Sequence, residues 1–539
     1  MKNILYKSLA GAAVLVATAC TGDYLDINSN QSQPGDLTAD GYALVSSMQN
    51  IAGAIVPADV NCNQFTDCLL GGTLGGYFSD GAPGFVTSFA RNNAPDNWSS
   101  VFLTDRKIIS TLYTNLSMVE GFCETSGDVV PMPVANIMKV AAMSRVTDCY
   151  GPIPYTGIGF EGVVKTPYDS QESIYKSFFT ELQEARQILL DNSTAVLSPL
   201  ADLVYGGDLS KWVRFANSLQ LRFALRIAYA DPQLAKQMAE DAINPANGGV
   251  IETNDQNATW KNYSTSTNPM RTAIMYNAQD SRPSAEIACY LNGFNDPRAP
   301  KYLTESAWKD ENGAWMVDGA GVSAQYAGIR RGWTSLNTDW SVKFSSINLL
   351  GNAPALWLNA AEVCFLRAEG AAVFGWDMGG NAESFYNQGV KLSMEDNGIT
   401  DAAVIDAYLA DETSTATTYY DPSDVNPYNG VFSTITIKWD DAASTEEKQE
   451  RIITQKWLAN WTLGNEAWAD YRRTGYPKLI PVAYNGSTVV NINRGPQRMA
   501  YPNSEYLNNG ENVQKAVSEY LGGPDNLATR VWWACKPGL

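Results

Sequence analysis

A mainly α-helical protein, built of paired helices with long irregular segments and a few short strands between them, is the fold class the sequence predicts. Three observations carry it. Apolar residues recur at helical spacing behind capping residues in several places. Three long stretches between those places have no period. The chain has 539 residues, 45% of them hydrophobic, enough for a large buried core and too apolar for disorder as its main state.

The helices follow in chain order. Asp169 is placed to cap a helix with Glu172 at the third position, and Ile174, Phe178, Leu182, Ala185 and Leu189 then form one apolar stripe. Asp208 caps the next, with Trp212, Phe215, Leu219 and Phe223 inward and Arg214 and Arg222 elsewhere on its surface. Asp231-Pro232 opens a third, since proline in the first turn loses no helical hydrogen bond. A fourth runs from about Pro354 through Ala360, Ala361, Cys364, Phe365, Ala368 and Ala371, a small-residue face suited to close packing. A fifth covers about Ala382 to Met394. A sixth covers about Thr445 to Tyr471, stopped by Gly475 and Pro477, with Trp457, Trp461 and Trp468 on one core-facing side. Paired helices of this kind suggest stacked hairpins, although no clean 34-residue repeat is present. The irregular stretches lie near 61–98, 254–344 and 410–438. Unstructured lengths of this order inside a compact protein carry function or short strands.

Composition excludes several activities. With 38 Lys plus Arg against 57 Asp plus Glu the net charge is -19, which repels nucleic acid and anionic membrane surfaces. Histidine is absent, so a catalytic apparatus that needs imidazole, or a zinc site built on it, is excluded. No GxxxxGK[ST] loop occurs, and Gly71-Gly72-Thr73-Leu74-Gly75-Gly76 lacks the preceding strand and following helix of a dinucleotide site. Glu362 and Glu369, seven apart on one helix face, stand about 10 Å apart along the axis. In so acidic a chain such a pair arises by chance, and no catalytic residue is predicted. No cofactor is predicted either. The acidic loop Asp421 to Asp424 offers oxygen ligands for structural calcium but does not match an EF-hand.

The amino terminus reads as an export signal. A short cationic stretch from Met1 to Lys7 precedes small and apolar residues from Ser8 to Ala19, a run well short of the roughly 20 residues that span a membrane. Cys20 directly after the small residues resembles the bacterial lipobox, with Ala17 where that motif usually has Leu. The resemblance implies lipidation at Cys20, and several acyl chains give stable anchoring. Residues 1–19 are then the lipoprotein signal peptide and 20–36 a lipidated polar tether, leaving 37–539 as a single helical domain. Removing Cys20 leaves seven cysteines, an odd number that cannot all pair internally. Cys62 and Cys68 either bridge or stay as free thiols, and Cys364 reads as a buried small hydrophobe.

The irregular stretches hold the candidate binding residues. Between Ser306 and Phe344 lie Trp308, Trp315, Trp333 and Trp340 with Tyr326, Arg330 and Arg331, among five glycines. Gly71 to Trp98 is similar, with Tyr77, Phe78, Asp80, Arg91, Asn92, Asn93 and Trp98. Flat aromatic faces beside Asp, Asn and Arg suit a pyranose, whose CH face needs an apolar platform and whose hydroxyls need polar partners; a peptide groove uses the same residues. The candidates are Tyr77, Asp80, Asn92, Trp98, Trp315, Arg331, Trp333 and Trp340. Each is either a ligand contact or the anchor of its loop in a local core.

The run from Trp457 to Pro477, WLANWTLGNEAWADYRRTGYP, resembles the C-terminal signature of the SusD/RagB family of outer-membrane nutrient-binding lipoproteins. Lys211 to Leu219, Ala361 to Gly370, Arg494-Gly495-Pro496 before Tyr501 to Glu505, and Asp23 to Asp26 agree in the expected order. The resemblance spans nearly the whole chain and names no ligand. It implies tetratricopeptide-like helix pairs as scaffold, irregular segments as the ligand face, and no enzymatic activity. It also implies a place on the cell surface above a SusC-like TonB-dependent β-barrel, to which the protein delivers a captured oligosaccharide. Peptide or glycopeptide capture is the alternative within that architecture, and a surface glycosidase is the alternative outside it.

Overall fold

The computed structural model describes residues 39–82, 88–100, 102, 108–159, 165–261, 267–276, 279–335 and 337–539. Cys20 and the tether 20–36 lie outside the described residues. The chain begins with α1 (Ala39–Ile55), which packs on α2 (Ile108–Ser126) and α3 (Pro131–Tyr150). α3 starts on Pro131 and Pro133, where missing N–H groups cost nothing, and is buried almost all round. α4 (Gln171–Asp191), α5 (Leu209–Ile227) and α6 (Pro232–Ala242) follow, each packed on the one before. The expected stripe of α4 is buried from Ile174 to Leu189. Its cap, however, is Ser170 rather than Asp169. Asp169 is still extended, bridged to Ile153, and its carboxylate accepts from Tyr155 N at 3.1 Å and Thr156 N at 2.8 Å. Asp208 and Asp231 cap α5 and α6 as expected.

The second half adds α7 (Ala360–Phe374), α8 (Ala382–Asp396), α9 (Thr445–Ala459), α10 (Gly464–Thr474) and α11 (Asn503–Glu519). α7 packs on α5, α8 and α9, which joins the two sets of helices around one continuous core. Two expected helices are revised. Ala355–Leu358 is a strand rather than the first turn of α7, because it pairs antiparallel with Ala258–Trp260; Asn359 then caps the helix by accepting from Glu362 N at 2.7 Å. The expected helix over 445–471 breaks between Ala459 and Gly464, where Thr462 takes a left-handed backbone with φ of 80°. The break lets α10 meet the segment that follows α1. A Cβ on Gly464 would lie 2.2 Å from the Gly71 carbonyl carbon, so the two backbones touch only because both residues are glycine.

The 61–98 stretch is not irregular throughout. A short helix at Val60–Asn63 continues into a widened turn, Gln64–Gly72, before Phe78–Asp80 pairs with Ser281–Pro283. Within 71–76, Gly71 and Gly75 serve packing against α10, whereas Gly72 lies against the Phe78 ring and Gly76, with φ of 80°, against Leu479. No disulfide joins Cys62 to Cys68, and none forms among the other cysteines of the described residues. These findings agree with the expected class: mainly helical, stacked in hairpins, with a few short strands.

Candidate functional site

The buried carboxylates come first, because a hydrolase would need them free. Glu362 is fully buried and receives Arg222 Nε and Nη2 on separate oxygens, both at 2.7 Å, with Asn460 Nδ2 at 3.0 Å. Arg222 thus lies inside rather than on the surface expected for it. Glu369, also fully buried, accepts from Arg473 Nη1 at 2.7 Å and Nη2 at 2.8 Å, and from Gln449 at 2.8 Å. Lys456 bridges Glu466 at 3.1 Å and Asp470 at 2.8 Å. Although burial opposes it, attraction from Arg226, Lys456 and Arg222 holds the Glu466 carboxyl below the usual carboxylate range. Every one of these acids is committed to a cation that ties α5, α7, α9 and α10 together. The Asp421 loop is likewise satisfied internally: its carboxylate accepts from Ser423, Val425 and Asn426 backbone N–H groups. Among the described residues no cluster of three or more His, Cys, Asp or Glu could hold a metal.

The loop residues separate into anchors and surface. Tyr77 is completely buried; its ring stacks on Trp457 at 5.1 Å and its hydroxyl donates to the Trp457 and Asn460 carbonyls at 2.6 and 3.0 Å. Trp98 is buried between Phe65 and Phe89, with ring centroids at 5.5 and 5.1 Å. Asn92 is buried in a left-handed turn and donates to Asn485 Oδ1 at 3.2 Å. Arg331 is a clamp: Nε and Nη2 donate to Glu286 at 3.0 and 2.8 Å, and further bonds reach the Thr73 and Ile480 carbonyls. All four are buried and bonded or packed within the protein, Asn92 and Arg331 lining a small cavity. Asp80 is half-buried, accepting from Ser88 Oγ at 2.6 Å, and burial pushes its carboxyl up to about 6.

Trp333 and Trp340 behave differently. Gly332, with φ of 83°, turns the chain against the backbone of Tyr484, and Ala483 N donates to Arg331 O at 2.7 Å. That turn seats Trp333, only 6% exposed, edge-on to Phe344 at 6.0 Å. Trp340 rides on the short helix Thr338–Ser341 capped by Asn337, stacks at 6.3 Å on Trp333 and remains 38% exposed. Trp308 supports Phe344 from beside it at 5.8 Å. Trp315 is half-buried, with Lys309 Nζ 3.9 Å over its ring. The irregular 306–325 segment is thus a small hydrogen-bonded meander: Met316 N donates to Trp308 O and Ala324 N to Met316 O.

The second loop of the site meets the first here. Arg91 Nη2 donates to Trp333 O at 2.8 Å, Gly486 N to Arg91 O at 2.8 Å, and Asn93 Nδ2 to Gly486 O at 3.2 Å. Three segments far apart in sequence, 88–93, 331–344 and 483–486, form one face. It presents the exposed Trp340 indole on the packed Trp333 and Phe344 rings, and the same segments carry Tyr484, 51% exposed, and the half-buried Arg91 and Asn93. Tyr484 was not among the sequence candidates. It is a lone aromatic before Asn485-Gly486, and no pattern marks it.

A helical-hairpin scaffold carrying a loop-built aromatic face is the class these features define. The chain belongs to the SusD/RagB family of outer-membrane lipoproteins: the family model for SusD-like proteins, Susd and RagB outer membrane lipoprotein, matches residues 26–534. A SusD homolog from Bacteroides uniformis is 51% identical, covers 92% of this chain and 100% of its own, and superposes with a TM-score of 0.87. A susD homolog from Bacteroides thetaiotaomicron is 35% identical over 92% of this chain and 99% of its own, with a TM-score of 0.81. A chitin-binding SusD homolog from Flavobacterium johnsoniae is 33% identical with the same two coverages, 92% and 99%, and a TM-score of 0.81. No curated protein matches. Among the described residues no helix is long and apolar enough to cross a membrane.

Proposed function

We propose that this protein captures oligosaccharide at the outer face of the outer membrane, anchored through lipidated Cys20, and delivers it uncleaved to a SusC-like TonB-dependent β-barrel. The observation that carries this reading is Trp340, an exposed indole held flat by Trp333 beneath it. An apolar platform covers the CH face of a pyranose, and Tyr484, Arg91 and Asn93 supply polar partners for its hydroxyls. Rigidity matters because the aromatic base is ordered before the sugar arrives, so little conformational freedom is lost on binding. Family membership and the chitin-binding relative support a glycan as the ligand. The absence of histidine and the pairing of Glu362 and Glu369 with arginines support capture without cleavage.

The test is calorimetric titration of the chain lacking Met1 to Cys20 with neutral oligosaccharides, chitin-derived ones first, and with a mixed peptide digest. Each mixture is then assayed for cleavage. Saturable binding of one glycan class without cleavage is expected. Trp340→Ala weakens it about tenfold, the loss of about 1.4 kcal/mol of stacking, with an unchanged melting temperature. Heat from peptides alone, product formation, or silence throughout overturns the reading.

A further inference from the structure

The 480–497 loop leaves the aromatic face and enters an open cleft of about 190 Å³ whose lining includes Tyr471, Lys478, Arg494, Gln497 and, from the chain's last residues, Leu539, with Arg472 also in its wall. In a chain of net charge -19, most interior cations are neutralised by carboxylates, as Arg222, Lys456 and Arg473 are. Here they are not. Among the described residues Lys478, Arg494 and Arg530 make no ion pair; Arg494 has one long bond to the Gly538 carbonyl at 3.5 Å, and Lys478 lies 4.4 Å over the Tyr476 ring. Arg530 is close enough to Arg494 for the two charges to repel.

Arg472 supplies the independent observation. It is 4% exposed and its Nε and Nη1 donate to the carbonyls of Trp468, Asp148 and Gln497, but Nη2 has no acceptor. Burial lowers its guanidinium to about 10 although Asp148 attracts it, and the group lies 3.6 Å over the Trp468 ring. Arg494 and Lys478 line the cleft with donors that have no carboxylate of the described residues at ion-pair distance, a deficit that a bound oxyanion relieves through charge-assisted hydrogen bonds. Arginine's planar fork fits a carboxylate or sulfate in two-point contact.

We propose that this cleft is an anion subsite for an acidic sugar, taking the carboxylate of a uronate or the sulfate ester of a sulfated residue against Arg494 and Lys478. The anion chemistry stands on the cleft, and the sugar as its carrier rests on the capture reading above. The shared loop links them: Gly486 touches Arg91 at the aromatic face, and the eight residues from there to Arg494 span at most about 29 Å. That separation is within the length of an extended oligosaccharide.

The test titrates the chain lacking Met1 to Cys20 with glucuronate, glucose 6-sulfate and glucose at constant ionic strength, reading saturable binding by calorimetry and by ligand-detected magnetic resonance. Binding of one or both acidic sugars in the millimolar range is expected, and which one binds identifies the anion. Glucose binds at least fivefold more weakly. The double variant Arg494→Gln with Lys478→Gln loses at least fivefold in affinity for the acidic sugar. Lys478→Gln alone, at a side chain resting on a ring face, gives an intermediate loss and serves if the double variant does not fold. Absence of acidic-sugar binding, equal binding of glucose, or variants that bind as the parent does would overturn the assignment; so would an oligoglutamate peptide that binds where both sugars fail. Trp340→Ala leaves monosaccharide binding at the cleft intact, so failure of the aromatic platform and failure of the anion subsite are read separately.

Discussion

Removing Glu369 tests whether the acids of the helical core hold the scaffold together. Glu369 has no solvent exposure and gives one oxygen to each terminal nitrogen of Arg473, at 2.7 and 2.8 Å, while Gln449 donates to it at 2.8 Å. Glu369→Leu leaves Arg473, 1% exposed, with Asp470 at 3.0 Å as its remaining carboxylate, and Asp470 is already shared with Lys456 at 2.8 Å. Stranding one member of a buried pair costs about 3–5 kcal/mol, and the surviving Asp470 contact places this case near the lower figure. Glu369→Gln keeps the shape and one acceptor but loses the charge, so about 1.5–3 kcal/mol is expected. Glu369→Leu combined with Arg473→Met removes both charges together. Its cost falls short of the summed single variants by 2 kcal/mol or more, roughly the coupling of the pair. Urea unfolding near pH 7 measures the parent, Glu369→Leu, Glu369→Gln, Arg473→Met and the double variant, and glycan titration of Glu369→Gln accompanies it. Single-variant costs below about 1 kcal/mol, or additivity within about 0.5 kcal/mol, would refute the structural role. Loss of ligand binding in a stably folded Glu369→Gln would return the residue to the functional site.

Three further outcomes follow from the site. Tyr77→Phe removes the hydroxyl that donates to the buried Trp457 carbonyl, while the Asn460 carbonyl keeps Leu463 N at 2.8 Å, and lowers stability by about 1–3 kcal/mol in the same unfolding assay, with glycan affinity unchanged; a selective loss of affinity would make Tyr77 a ligand contact after all. Asp80 has a folded pKa raised from 3.8 to about 6 by burial, so the native state holds its proton more tightly than the unfolded chain does. The stability this group lends is full below pH 4 and lost as pH rises through 6; Asp80→Asn therefore stabilises the protein above pH 6 by up to about 3 kcal/mol, and identical pH–stability slopes in both proteins would contradict this. Gly332→Ala places a Cβ 2.8 Å from Tyr484 N at a φ of 83°. It is expected to cost about 1–3 kcal/mol and to weaken glycan binding by shifting Tyr484 from the face, and unchanged affinity would remove Tyr484 from the site.

Much of the scaffold was legible because its signals are local. Asp208 and Asp231 cap the helices that begin beside them, and the stripe from Ile174 to Leu189 repeats at helical spacing; both depend on residues within a turn or two. The failures are places where a distant segment intervened. Ala355–Leu358 reads as the start of a helix until Ala258–Trp260 pairs with it, and Asp169 reads as a cap until Ile153 holds it extended. The expected helix over 445–471 is continuous until Thr462 turns α10 toward Gly71.

For the site, the residue types were visible and their roles were not. Tyr77 and Trp340 both stand in aperiodic, glycine-rich stretches, and nothing in either stretch tells one from the other. Tyr77 is core because Trp457, 380 residues away, lies against it, whereas Trp340 is surface because Trp333 fills the space beneath it and nothing closes over it. By itself the sequence determined the helices between about 171 and 242 and much of those from 360 onward, the caps Asp208 and Asp231, the acidic charge, the missing imidazole and the family. Only the tertiary structure decided which aromatics face solvent, which acids are committed to ion pairs, and which cations are left without one. The physical reason is range: helix formation is settled by neighbours a few residues apart, while burial and charge pairing in loops are settled by whatever the rest of the chain brings beside them.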